Sequence, residues 1–593
     1  MKRLGLLSAG GVDEAKTVME VALGREPADL AVVNALLLNV YTGEMLEKTT
    51  VAVKGPWIAW VGTDPGPRIS SRTAVIDAGG AVLAPGFIDG HTHLADMIYP
   101  PQEFIRHAVP GGTTAVVTET IEPYPIRGYE GIVDFLAALK DQPITFFATA
   151  PPVASTSRAV RGIRDVDLAA LLERDDVLGL GEVYWSGALQ DPDIFLPLMR
   201  QTLLAGKNVE GHTAGAREDR LMAYTALGVS SCHEPIQAEE VLERLRLGLH
   251  VMIREGSIRR DLEQIASVRK RLADPSRLML VTDGVGPNDL LEGGYMDGVV
   301  QKAVDCGFEP IQAIRMASLN VADYFQLGGL LGGIAPGRQA DMLLLPEPAV
   351  IRPQLVVAKG RVVAEEGRLT VSPRRPAFSR ATLDSILLPD DLEASAFALK
   401  APGGGATARV RIIHQVTGLV TRELVDAVDL RGGEIVPDPE RDLLKVAAVD
   451  RARTPGRMFV GLIKGFGLRS GAFACSSGWD TPDIIVVGAR DEDMAAAVNR
   501  IRGLRGGTVV CDRGVVTAEL PMPIFGLMSD RSLEEIADGM RSVAGALQSL
   551  GCPLQDPYRT LATLSGAAIP FIRICEEGLV DLKSGATLPL FVP

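Results

Sequence analysis

Repeatedly between residues 80 and 290, an apolar run in this chain ends on a residue type that binds metal. The strongest case is Ala81-Val82-Leu83-Ala84 leading into Pro85-Gly86-Phe87-Ile88-Asp89-Gly90-His91-Thr92-His93. The run reads as a strand, and in a strand residues i and i+2 face the same side. His91 and His93 therefore project together, and two imidazoles can grip one ion. The chain has only seven histidines, so two at one strand end is a large share. Further on, Glu182 follows Val177-Leu178-Gly179-Leu180-Gly181 and His212 follows Val209-Glu210-Gly211. His233 follows Val229-Ser230-Ser231-Cys232, and Asp283 follows Leu278-Met279-Leu280-Val281-Thr282.

The spacing of these runs predicts the fold. From 85 to 330, apolar strands alternate with helical stretches such as Ala238-Glu239-Glu240-Val241-Leu242-Glu243-Arg244-Leu245, as βα units do. Ala115-Val116-Val117-Thr118, Ile144 to Ala148 and Gly228-Val229-Ser230 read as further buried strands. About 245 residues of such units is the size of a (β/α)8 TIM barrel, whose active sites lie at the C-terminal ends of the strands. Each metal-capable residue stands at such an end.

The expected fold class is therefore α/β: a catalytic (β/α)8 barrel over 85–330 with a small β domain beside it and an α+β domain after it. Short strands and turns fill 28–84 and return over 331–372, so one composite β domain is expected from both flanks. Residues 1–27 read as a polar helical lead-in, 373–380 as a Pro- and Arg-rich linker, and 381–593 as the C-terminal α+β domain. Ala401-Pro402-Gly403-Gly404-Gly405 is the one low-complexity patch, read as a loop.

Bulk properties narrow the class. A length of 593 residues with 47% hydrophobic content allows two to four domains with large cores. No apolar run reaches the ~18 residues of a membrane-spanning helix. The start carries charge at Asp13, Glu14 and Lys16 and lacks a long apolar stretch, so a cytoplasmic protein with no membrane partner is expected. A net charge of −14 argues against nucleic acid as a partner. The six cysteines form no CxxC pair and suit reduced, mostly buried thiols.

Imidazole and carboxylate together suit Zn²⁺, Mn²⁺ or Fe²⁺. A carboxylate set between two ions can bridge them, and Glu182 is placed for that role. Water on such an ion becomes a hydroxide nucleophile near neutral pH, and Asp283 can take its proton and pass it to a leaving group. A lone histidine is more often structural than a ligand. His107, His250 and His414 stay in that class because none ends a convincing barrel strand.

This arrangement resembles the amidohydrolase superfamily and, within it, the bacterial adenine deaminase family. The resemblance runs over most of the chain from about residue 28. It rests on Pro85 to His93, Gly179-Leu180-Gly181-Glu182-Val183, Ser231-Cys232-His233-Glu234, Leu245 to Ser257, Asp289 to Gly294 and Ala313 to Asn320. Asp491 to Ala495 and Glu519-Leu520-Pro521-Met522-Pro523-Ile524-Phe525-Gly526 extend it into the C-terminal domain. The resemblance implies that His91 and His93 hold a first ion, that Glu182 bridges, and that His212 and His233 hold a second. It makes Asp283 the acid/base, with two divalent ions of manganese or iron. The implied reaction turns adenine and water into hypoxanthine and ammonia in a homo-oligomer, expected as a dimer.

Four departures bear on the substrate. The family's His-Ile-Glu-Ser run is here His93-Leu94-Ala95-Asp96, and its Asp-Pro-His-Glu is Glu119-Thr120-Ile121-Glu122. The histidine of that second run is lost to Ile121, while its glutamate survives as Glu122, a second candidate for catalytic proton transfer. Its Thr-Asp-Asp is here Thr282-Asp283-Gly284. Its Ser-His-Asp-Ser-His-Asn run is replaced by Ser476-Ser477-Gly478-Trp479-Asp480-Thr481-Pro482-Asp483. The expected partner is a small heterocycle: adenine first, with another aminopurine or a cyclic amide as the alternative.

Overall fold

The structure is a computed structural model and describes residues 4–402, 405–569 and 571–592. Residues 1–3 of the lead-in and Gly403 and Gly404 of the low-complexity patch lie outside the described residues. Before the barrel come β1 (Leu30–Asn39), β2 (Glu44–Lys54), β3 (Trp57–Gly62), β4 (Ala74–Asp77) and β5 (Val82–Pro85). The barrel strands are β6 (Phe87–Thr92), β7 (Thr113–Thr118), β8 (Thr145–Ala150), β9 (Val177–Tyr184), β10 (Asn208–His212), β11 (Ser231–Cys232), β12 (His250–Arg254) and β13 (Leu278–Val281). After it come β14 (Met342–Leu345), β15 (Leu355–Ala358), β16 (Arg361–Glu365) and β17 (Arg368–Leu369).

The two flanks share one sheet, in the order β17-β16-β15-β14-β5-β1-β2-β3 with β4 beside β1. β5 is the hinge of this arrangement. It pairs antiparallel with β14, Leu83 opposite Leu344, and parallel with β1. One residue later the chain enters β6, so the sheet anchors the strand that carries the histidine pair.

The eight barrel strands lie side by side in chain order, all parallel. At the seam between β13 and β6, the Asp283 amide donates to the His91 carbonyl at 3.0 Å. The Thr282 hydroxyl donates to Asp89 Oδ2 at 2.6 Å across the same seam. Ile88, Ala115, Val117, Phe147, Leu178, Met252 and Met279 form one apolar core cluster. They precede the polar residues on the same strands, so the charged mouth rests on a dry floor, as barrel interiors are filled.

Two irregularities in register fall where the chemistry lies. Leu180 pairs with Val209 and Val183 with Gly211, so Gly181 and Glu182 stand opposite the single Glu210. A similar slip separates Asp89 from Thr92, around His91. Such bulges bend a strand and re-aim a side chain.

The C-terminal region builds a ten-stranded, mainly antiparallel sheet between Leu399 and Pro521, and a three-stranded one between Ile572 and Leu588. The expected strands at Ile484 and Thr508 are present as Asp483–Gly488 and Gly507–Asp512.

Three expectations need correction. The strand expected at Gly228-Val229-Ser230 is displaced to Ser231–Cys232. Gly228 instead closes the preceding helix, with φ +91 and its amide on the Thr225 carbonyl, and a left-handed residue cannot open a strand. The lead-in contains a helix, Gly11–Ala22, that is not simply polar: Val18 and Val21 are buried, and Glu14 accepts from the Trp57 indole at 2.7 Å. The Pro- and Arg-rich stretch is pinned to the barrel. Arg374 donates to the Ala137 and Lys140 carbonyls, each at 2.7 Å, and its backbone amide donates to Gln142 Oε1 at 3.0 Å.

Candidate metal centre

His91, His93, Glu182, His212, His233 and Asp283 converge at the C-terminal mouth of the barrel. Glu182 is the hub: its Oε1 lies 3.2 Å from His91 Nε2, 3.3 Å from His93 Nε2 and 3.1 Å from His233 Nε2. Asp283 Oδ1 lies 3.4 Å from both His91 Nε2 and His93 Nε2. Asp283 sits at φ +58, a left-handed conformation that aspartate tolerates better than most residues.

His212 stands apart from Glu182 and pairs with Glu234, Nε2 to Oε1 3.2 Å, while His233 Nε2 lies 3.4 Å from the same oxygen. Two compact ligand groups share His233: His91, Glu182, His233 and Asp283 in one, His212, His233 and Glu234 in the other, and a third joins His91 to Glu119 and Glu210.

The second layer is built from the same strand ends. Glu122 Oε1 meets His93 Nδ1 at 2.6 Å, which fixes that ring and directs Nε2 inward. Glu119 Oε1 lies 3.5 Å from His91 Nδ1 and serves the other ring of the pair. Gly181 makes room for it: a Cβ there would stand 2.0 Å from Glu119 Oε2. Arg254 reaches Asp283 Oδ2 and Asp261 Oδ2, both at 3.2 Å, and makes a shorter contact with Glu234. Asp89 accepts from the Thr282 and Tyr295 hydroxyls at 2.6 Å each and from the His91 amide at 3.2 Å, locking the two strand ends together.

The charges interlock. Burial alone would suppress protonation of His91 and His93, but the carboxylates of Asp283 and Glu182 outweigh it and hold both imidazoles well above their usual value. Burial likewise opposes ionisation of Glu182 and Asp283. The charge of His93 and the closeness of the His233 and His91 rings nonetheless hold Glu182 well below the carboxylate range, and the closeness of the His91 and His93 rings with the Arg254 charge does the same for Asp283. His233, buried and beside His91, is pushed down to about 4 and is neutral. Burial and the charge of Glu182 push Glu119 up to about 7.

This donor set fits divalent cations. It offers four imidazoles and a group of carboxylates, buried except for the partly exposed His93 and Glu234, of borderline and hard character. His91 Nε2 is buried with two carboxylates within 3.4 Å, yet it makes no aligned hydrogen bond. Nitrogen and oxygen atoms aimed at a common point, rather than at each other, are what a shared cation requires.

A cavity of about 510 Å³ opens over this group. The barrel contributes His93, Ile121, Glu122, Tyr184 and Arg259 to its lining, and the C-terminal region contributes Thr417 to Val420, Trp479, Asp480, Ala568 and Ile569.

Glu119, Glu210, Glu234 and Arg254 were not singled out from the sequence. Glu119 and Arg254 each end an apolar run, so the rule that picks Glu182 also reaches them. Glu210 alternates inward within β10, and Glu234 directly follows His233. His250 opens its strand rather than ending it.

A barrel whose mouth gathers histidines and carboxylates in this order defines a metal-dependent hydrolase of the amidohydrolase class, and residues 82–364 match the amidohydrolase family profile. Residues 418–586 match the adenine deaminase C-terminal domain. An adenine deaminase of Moorella thermoacetica is 38% identical over 577 residues, spanning 95% of this chain and 96% of that one. Adenine deaminases of Clostridium botulinum and Cenarchaeum symbiosum are 34% and 35% identical, covering 97% and 96% of this chain and 97% and 94% of their own lengths. The chain belongs to the adenine deaminase family.

Proposed function

We propose that this protein hydrolyses adenine to hypoxanthine and ammonia with two divalent ions held at the barrel mouth. The convergence of four histidines, Glu182 and Asp283 beneath a cavity of about 510 Å³ carries the reading. Near-full-length similarity to adenine deaminases supports the substrate. His91, His93, Glu182 and Asp283 would hold one ion. His212 and His233 would hold the second, with Glu182 between the two and Glu234 beside the second. Manganese or iron suits the set, and zinc is compatible with it. Such ions supply Lewis acidity that activates water.

The chain's own groups handle the protons. Asp283, ionised and pinned at Oδ2 by Arg254, keeps Oδ1 toward the histidines and takes a proton from the attacking water. Glu122 uses Oε1 on His93, and its Oε2, without a hydrogen-bond partner, is placed to give a proton to a ring nitrogen and to take one back from the new hydroxyl as the ring carbonyl forms. Ile121 in the lining can neither donate nor accept a proton. The leaving amine departs as ammonia once Asp283 returns its proton.

The reading places the protein in the cytoplasm as a homo-oligomer, a dimer. No helix among the described residues is long and apolar enough to cross a membrane. The test is a panel of aminopurines and cyclic amides offered to manganese- or iron-loaded protein. Hypoxanthine and ammonia in equal amounts from adenine are expected. Hydrolysis of another ring with adenine untouched would overturn the assignment.

A further inference from the structure

Asp480 is an unusual residue to find in the roof of the cavity. It belongs to the C-terminal region, yet it lines the same space as His93, Glu182 and Asp283. Its side chain is almost fully buried, and its backbone sits at φ +62, in the left-handed region. A strained conformation of this kind persists only where its surroundings over-determine it. They do so here. The Trp479 amide donates to the Ala562 carbonyl at 3.1 Å, the Trp479 indole donates to Asp96 Oδ2 at 2.9 Å, and the Ser565 hydroxyl donates to the Trp479 carbonyl at 2.8 Å. The loop is thus tied both to the barrel and to its own region, and Asp480 is held over the mouth.

Its carboxylate is under-used. Oδ2 accepts one good bond, from the Ala567 amide at 2.7 Å. Oδ1 has only the Tyr184 hydroxyl, at 3.3 Å. No Lys, Arg or His forms an ion pair with Asp480 among the described residues. An ionised carboxylate accepts about four hydrogen bonds, and burying one short of donors is costly unless a ligand completes it. The residue therefore presents acceptor capacity to the cavity, across from the groups that would activate water.

Resting on the adenine reading above, we propose that Asp480 is a specificity-determining residue that accepts a hydrogen bond from the ring N–H of the substrate's five-membered ring. A free purine base carries one such N–H, on N9 or N7. A base alkylated or glycosylated at N9 carries none, and its substituent would press on the roof. The site would thus select free bases over nucleosides. A site built to receive a polar hydrogen rejects analogues that lack it strongly, because its own buried group is left unpaired.

The test is D480N, with adenine and 9-methyladenine as substrates of the manganese-loaded full chain. Asparagine tolerates the left-handed backbone, so the fold is retained, and metal content and thermal unfolding check this. The amide has one acceptor oxygen where the Ala567 N–H and the substrate N–H each need one. Wild-type protein is expected to favour adenine over 9-methyladenine by roughly 10²-fold or more in kcat/KM. D480N is expected to lose most of that preference, through a fall on adenine of roughly 10²-fold with little change on 9-methyladenine. An equal loss on both substrates would make Asp480 a structural residue and overturn the proposal, as would an unchanged preference. Wild-type protein that leaves adenine untouched would overturn the parent reading, and the assignment with it.

Discussion

The mouth of the barrel and the roof above it are built on opposite plans. In the mouth, the groups that face the centre are set against opposite charges: His91 and His93 face Glu182 and Asp283, His212 faces Glu234, and Arg254 faces Asp283 and Glu234. In the roof, Asp480 is buried with neutral donors only, a backbone amide and a phenol, and the barrel's Asp96, which anchors the roof loop, has only the Trp479 indole. Burial pushes both carboxyls up to about 7. A compensated cluster is what chemistry on water requires, because its charges are fixed before substrate arrives. An uncompensated acceptor is what recognition requires, because the substrate completes it. On the proposed reading, the difference assigns catalysis to the barrel and selection to the C-terminal region.

Substitutions can break that division. Asp283→Asn should lower kcat about 10²–10⁴-fold, because the amide cannot accept the proton of water. The fall should be the same for adenine and 9-methyladenine, leaving their ratio unchanged, with metal still bound by the other ligands. Near-normal turnover in a metal-replete Asp283→Asn protein would move the base elsewhere.

The charge pattern of the mouth also predicts how ions enter. In the ion-free chain His91 and His93 hold protons up to a pH well above the usual imidazole value, and a metal must displace them. Apparent metal affinity should therefore rise with pH, about tenfold per unit for each proton displaced, and flatten once pH passes the raised values. His233, at about 4, is already neutral and adds nothing to the slope near pH 7. Calorimetric manganese titrations at pH 6, 7 and 8 measure it, and a pH-independent affinity would contradict the charge assignment.

A smaller effect sharpens the roof side. Trp479→Phe removes the indole bond to Asp96 while keeping most of the ring surface. The loss is worth about 1 kcal/mol, so KM for adenine should rise several-fold with kcat nearly constant. A fall in kcat with unchanged KM would tie Trp479 to the chemistry instead.

The mouth was legible because a parallel barrel puts its working residues at strand ends and announces each strand as an apolar run. His91, Glu182, His212, His233 and Asp283 all follow this rule. The rule says nothing of side chains that alternate inward within a strand, which hid Glu210. It also cannot see how a bulge turns Glu182 toward three histidines at once. The pairing of His212 with Glu234 rather than with Glu182 depends on side-chain reach and has no trace in spacing. The roof was least legible. Trp479 and Asp480 lie nearly 200 residues beyond Asp283, and their place in the cavity is set by the docking of a separate sheet onto the barrel.

The proposed two-ion centre at this mouth can be tested directly. The direct measurement is adenine deamination followed while ion-free protein is titrated with manganese, with bound metal counted on the same samples. Activity should be absent without metal, rise with loading, and level off at two ions per chain. Full activity in protein stripped of metal, or a plateau with no ion bound beside Glu182, would contradict it.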